Sequence, residues 1–117
     1  MARIYWAVLV AAAVWLPTTA GAVAIMGQGT ESCGAWSEAR HHDLPNPNAT
    51  AMFSWVAGHI SGAAAATGVD LLASTDAGAI KGWLDKYCRE HPLEKFGVAV
   101  DLLEIELTKT LPSSKAP

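Results

Sequence analysis

The side chains best suited to covalent chemistry are two cysteines, Cys33 and Cys88, about 55 positions apart. They form no Cys-x-x-Cys, and neither sits in an arrangement that marks a nucleophile. A single disulfide is the expected outcome, with two buried free thiols as the alternative. Closing a loop of that length removes roughly 4 kcal/mol of unfolded-chain entropy, a sum that rivals the whole stability of a small domain. Reduction is therefore expected to unfold most of the protein.

The other reactive groups are histidines and carboxylates. His41-His42-Asp43 offers three donors in adjacent positions, but neighbouring side chains point apart and zinc needs better-separated ligands. His59 falls beside the apolar face of a predicted helix, the usual place for a satisfied core or interface histidine. His91 precedes Pro92 and reads as a corner residue before it reads as a pH switch. Asp101, Glu104 and Glu106 form a solvated helix face, and no Ser/His/Asp order or phosphate loop accompanies them. Gly27-Gln28-Gly29 follows no strand and opens no dinucleotide fingerprint, while Asn48-Ala49-Thr50 matches a glycosylation acceptor. No catalytic residue, metal ligand or cofactor is assigned, and the chain is not expected to be an enzyme.

The elements that must position these residues follow from composition. A chain of 117 residues has room for one core. Apolar residues make up 51% and charged residues 16%, with a formal net charge of −3, so neither a disordered tail nor a nucleic-acid binder is indicated. Arg3 is the only charge before Glu31, and Ile4 to Leu16 is an unbroken apolar run ahead of Pro17. That order is a signal peptide. Ala20-Gly21-Ala22 and Ala22-Val23-Ala24 are both cleavage frames, and the second, which makes residues 1–24 the leader, is preferred. Retained, the uncharged stretch Ile4 to Met26 would instead be a membrane tether for a structural component. Cleavage predicts a periplasmic or secreted protein without a membrane anchor.

After a flexible lead-in at 25–31, the pattern predicts an all-α, four-helix domain over 32–111 and a disordered tail at 112–117. The first helix covers about 32–40, capped by Thr30 or Ser32, with Cys33, Trp36 and Arg40 on one side. A second runs from an Asn48 cap to Thr67, with Met52, Phe53, Val56, Ile60 and Ala63 facing a core and Trp55 and His59 beside them. Gly58 and Gly62 are expected to let a neighbouring backbone approach closely, and Gly68 to end the helix. The third starts at Thr75 or Asp76 and carries the stripe Ile80, Trp83, Leu84, Tyr87, Cys88. Pro92 turns the chain into a fourth helix with core residues Leu93, Phe96, Val100, Leu103 and Leu107. Val98, Leu102 and Ile105 make a second apolar line there, to be covered by the first helix or by another molecule, a second copy included.

Three stretches carry a resemblance: Cys33-x-x-Trp36; Trp55 through Gly62; and Trp83-Leu84-x-x-Tyr87-Cys88-x-x-His91-Pro92-Leu93. Together, across Ser32 to Leu107, they resemble the HdeA/HdeB-like acid-stress chaperones. The resemblance implies a disulfide-linked periplasmic protein, often dimeric near neutrality, that loosens in acid and holds unfolded clients. The Gly-x-x-x-Gly helix and the Tyr-x-x-x-His-Pro corner are also similar to Rap1a-type immunity proteins, which implies neutralisation of one secreted toxin. Loss of Arg3 with the leader leaves a formal charge of −4, and acid would carry the remaining seven Lys and Arg plus four His to about +11. Either way the expected partners are other proteins, met through Val98, Leu102 and Ile105, with Trp36, Trp55, Gly58, Gly62, Trp83, Tyr87 and Pro92 as core and close-contact positions.

Overall fold

A computed structural model describes residues 24–41 and 45–111. The expected leader, of which only Ala24 is described, lies outside these residues, as do His42, Asp43 and the tail at 112–117. Four helices follow a single 3-10 turn at Gly27–Thr30: α1 Cys33–Arg40, α2 Pro47–Thr67, α3 Ala77–Glu90 and α4 Phe96–Thr110. No strand occurs among the described residues, so the domain is all-α.

Local chemistry sets the helix ends. Ser32 caps α1, its hydroxyl accepting from the Ala35 N–H at 3.1 Å. The cap of α2 is Asn46, not Asn48: its Oδ1 accepts from the N–H groups of Asn48 and Ala49. Pro47 takes the first helical position, where its missing N–H costs nothing and its fixed φ already suits the helix. Gly68 ends α2 at φ 70°, a left-handed conformation that only glycine adopts cheaply. Asp76 caps α3 through a 2.8 Å bond from the Ala79 N–H.

α4 lacks a side-chain cap and is started by main chain from elsewhere. The Phe96 N–H donates to Glu31 O at 2.8 Å, the Cys33 N–H to Glu94 O at 2.8 Å and the Gly34 N–H to Pro92 O at 2.9 Å. The beginnings of α1 and α4 are thus stitched together around an antiparallel bridge between Ser32 and Lys95. Beside this seam Cys33 and Cys88 form the disulfide, tying α1 to the end of α3.

The core is the meeting of four stripes: Cys33 and Trp36; Met52, Val56 and Ile60; Ile80, Leu84 and Cys88; and Phe96, Val100, Leu103 and Leu107. Trp36 is fully buried, stacks on Phe96 with ring centroids 5.2 Å apart, and donates its indole N–H to Asp85 at 2.9 Å. Asp85 also receives Arg40 through Nε and Nη2, each at 3.0 Å. Arg40 therefore leaves the buried side of α1 for the surface. The hydrogen bond to Asp85, and then its charge, raise the Arg40 pKa above its already basic ordinary value.

Several sequence expectations are corrected. Leu93 is 96% exposed, because α4 begins only at Phe96 and Leu93 sits in the turn before it. Gly58 and Gly62 have no heavy atom within 4 Å of where a Cβ would stand. They lie about 200° round the helix from Val56 and Ile60 and face outward. Pro92 is exposed at its corner, while Trp55, Trp83 and Tyr87 are half-buried against the core rather than inside it. α1 reaches α4 at Phe96 and leaves Leu102 and Ile105 uncovered.

Close approach instead occurs at glycines that carried no such expectation. Gly29 is buried under Trp55, and a Cβ there would fall inside the indole ring's van der Waals envelope. Gly97 lies against the Gly29 carbonyl and Ile25, where a Cβ would stand 3.0 Å from each. The Trp55 indole N–H, donating to Met26 O at 2.9 Å, holds this lead-in across α2 and α4.

Candidate functional site

α4 presents its second line to solvent: Leu102 is 38% exposed and Ile105 55% exposed, while Val98 is half-buried. Ile105 also forms one wall of a shallow groove of about 420 Å³ between the C-terminal half of α2 and α4. Ala63, Val69 and Leu71 supply the apolar remainder, and Asp101 and Glu104 stand at its edge. The groove persists because this half of α2 carries alanines where longer side chains would have filled it.

One histidine makes polar contacts across the two helices here. His59 Nδ1 lies 2.6 Å from Glu104 Oε1, and its Nε2 lies 3.7 Å from Asp101 Oδ1. Trp55, one turn earlier on α2, leans on the imidazole with centroids 4.9 Å apart. Asp101 and Glu104 are three apart on α4 and so share a face, which is what lets both address one histidine. His59 and Glu104 are mostly sheltered, with side-chain exposures of 29% and 18%. In that setting a charge-assisted hydrogen bond is short and strong.

The same trio offers one metal-ligating atom each, all within 4.8 Å of one another. The carboxylates address opposite ring nitrogens, however, and one cation can bind only one of those nitrogens. The arrangement suits an imidazole bridged between two carboxylates better than a chelated ion.

The remaining histidines do other work. His91 stacks on Tyr87 at 4.3 Å, extending a ring column that begins with Trp83, and its Nδ1 lies 3.0 Å from Tyr87 O. His41 ends α1. The sequence suggests a satisfied core or interface histidine at His59 but leaves Asp101 and Glu104 as solvated charges. The clue available was that His59 is the only ionisable side chain between Asp43 and Asp70, so any charge it meets must come from another element.

Comparison with known protein families, with curated proteins and with solved structures finds no match. No helix among the described residues is long and apolar enough to cross a membrane.

Proposed function

We propose that the chain is an exported protein-binding domain, periplasmic or secreted, that works as the HdeA/HdeB-like acid-stress chaperones it resembles: folded near neutrality, loosened in acid, and holding unfolded clients on apolar surface. The observation that carries this reading is the bridge from His59 to Glu104 and Asp101 beside the apolar groove of α2 and α4. Among the described residues, the charged groups that meet His59 are those two carboxylates of α4; α2 itself has no Asp, Glu, Lys or Arg, and the lead-in meets Trp55 through a neutral carbonyl. The short His59–Glu104 contact, with Asp101 beside it, ties α2 to α4. Acid carries the chain without its leader to about +11, and that repulsion works against the contact. Ile60 and Leu103, buried in the core, would then join Leu102 and Ile105 as apolar surface for clients.

The test is light scattering of several unrelated proteins brought to about pH 3, below the ordinary carboxylate range. Protection is expected in acid and not at neutrality. Glu104→Gln with Asp101→Asn imitates protonation without acid, and this pair should raise apolar-dye binding at neutral pH. Absence of client protection together with unchanged dye binding would sink the reading. Leu102 and Ile105 stand exposed in the folded domain, which favours the Rap1a-like immunity function as the second reading. Tight binding of one protein at neutral pH, without acid protection of others, would establish it instead.

A further inference from the structure

A second concavity, sharing no residue with the α2–α4 groove, lies where α1, the first turns of α2 and the middle of α3 meet. It holds about 380 Å³, within the range of small-ligand sites. Its apolar walls are Trp36, Ala39, Ala49 and Phe53, and its two cations are Arg40 and Lys81. Their charges are not equally spent. Asp85 occupies Nε and Nη2 of Arg40 and balances it, and among the described residues nothing takes the Nη1 donors. Lys81 lies over the Phe53 ring at 4.5 Å and meets no carboxylate among the described residues. In a chain of net charge −3, this concavity thus holds one positive charge, uncompensated among the described residues, above an aromatic face.

We infer that this concavity binds a carboxylate carried on an apolar body, with Lys81 and the open edge of Arg40 taking the carboxylate and Phe53 and Ala49 taking the body. One excess charge matches one negative charge, which favours a carboxylate over a phosphate dianion. Two donors, one from α1 and one from α3, line the same concavity and would give the carboxylate orientation, and a charge-assisted bond here is worth about tenfold or more in affinity. The carboxylate could belong to a free organic acid or to the C-terminus of a polypeptide. The chemistry is the same, and the experiment separates the sources.

The probes are 3-phenylpropionate, the peptide Ala-Ala-Phe with a free C-terminus, and the same peptide as its C-terminal amide. Each is titrated into the oxidised protein, following the side-chain NMR signals of Lys81 and Arg40. Saturable shifts with at least one free acid, and none with the amide, are expected. Binding of both acids assigns any apolar carboxylate, and binding of the peptide alone assigns a polypeptide end. Lys81→Met keeps a stem over Phe53 without the charge and should weaken binding about tenfold, while Lys81→Arg should restore most of it. No saturable shift at ~10 mM, equal binding of the amide, or undiminished binding by Lys81→Met would overturn the inference. None of these readouts depends on acid or on clients, so this site stands or falls apart from the chaperone reading.

Discussion

Replacing both Cys33 and Cys88 with alanine removes the link between α1 and α3 without leaving a lone thiol. The loop it closes spans 55 residues, for which the chain-entropy relation gives about 4 kcal/mol at 25 °C. Both sulfurs have 0% exposure, so their lost contacts add to the cost and no solvent-side relaxation offsets it. For a domain of this size each kcal/mol moves the melting midpoint by roughly 4–8 °C, and the double variant should melt about 20 °C lower than the oxidised protein. The loss should fall first on α1, eight residues long and too short to persist alone. Thermal unfolding followed by far-UV circular dichroism, with near-UV dichroism reporting Trp36, reads both effects. A midpoint within a few degrees of the oxidised protein would refute the reasoning. It would mean that the Asp85 contacts and the main-chain stitch to residues 92–96 hold α1 without help.

Asp85→Ala should cost about 2–3 kcal/mol in urea unfolding, mostly from the Trp36 indole N–H left without its acceptor. The Arg40 pair adds at most about 1 kcal/mol, because roughly a third of each side chain is open to water. The Arg40 pKa is raised, so its contribution is complete at every pH below its unfolded value and fades only in strong alkali; alkaline titration up to about pH 10 should leave stability unchanged on this account. Gly58→Ala and Gly62→Ala should each stabilise the protein by about 0.5–1 kcal/mol, since a methyl there meets nothing and α2 gains helix propensity. Gly29→Ala should instead cost about 1–3 kcal/mol and alter Trp55 fluorescence, because the indole must move to admit the methyl.

What could be read from the sequence was whatever repeats within one turn of helix. Ser32, Gly68 and Asp76 mark ends by their own side chains or lack of one. The stripes Met52-Val56-Ile60 and Phe96-Val100-Leu103-Leu107 follow from helical spacing alone. The disulfide followed from having two cysteines behind an expected export signal. What escaped depends on partners far along the chain. Asp85 meets a tryptophan 49 positions away, and Trp55 meets a carbonyl 29 positions away, and nothing near either residue indicates this. Gly58 and Gly62 misled because small residues four apart permit a close neighbour without requiring one. Leu93 misled because helical spacing extrapolated backward through a proline turn places a residue on a face that does not yet exist. The bridge at His59 was half legible: its isolation in an uncharged helix was visible, but the two acids it would face were not.

The burial of both cysteine sulfurs has a kinetic consequence as well. A reducing thiolate must reach a sulfur in line with the bond it breaks, and neither Cys33 nor Cys88 offers any surface for that attack. Cleavage must therefore wait for α1 to swing away from α3, so the lifetime of the oxidised protein among small thiols scales with how rarely that breathing motion opens the bond, on top of the reagent's own strength.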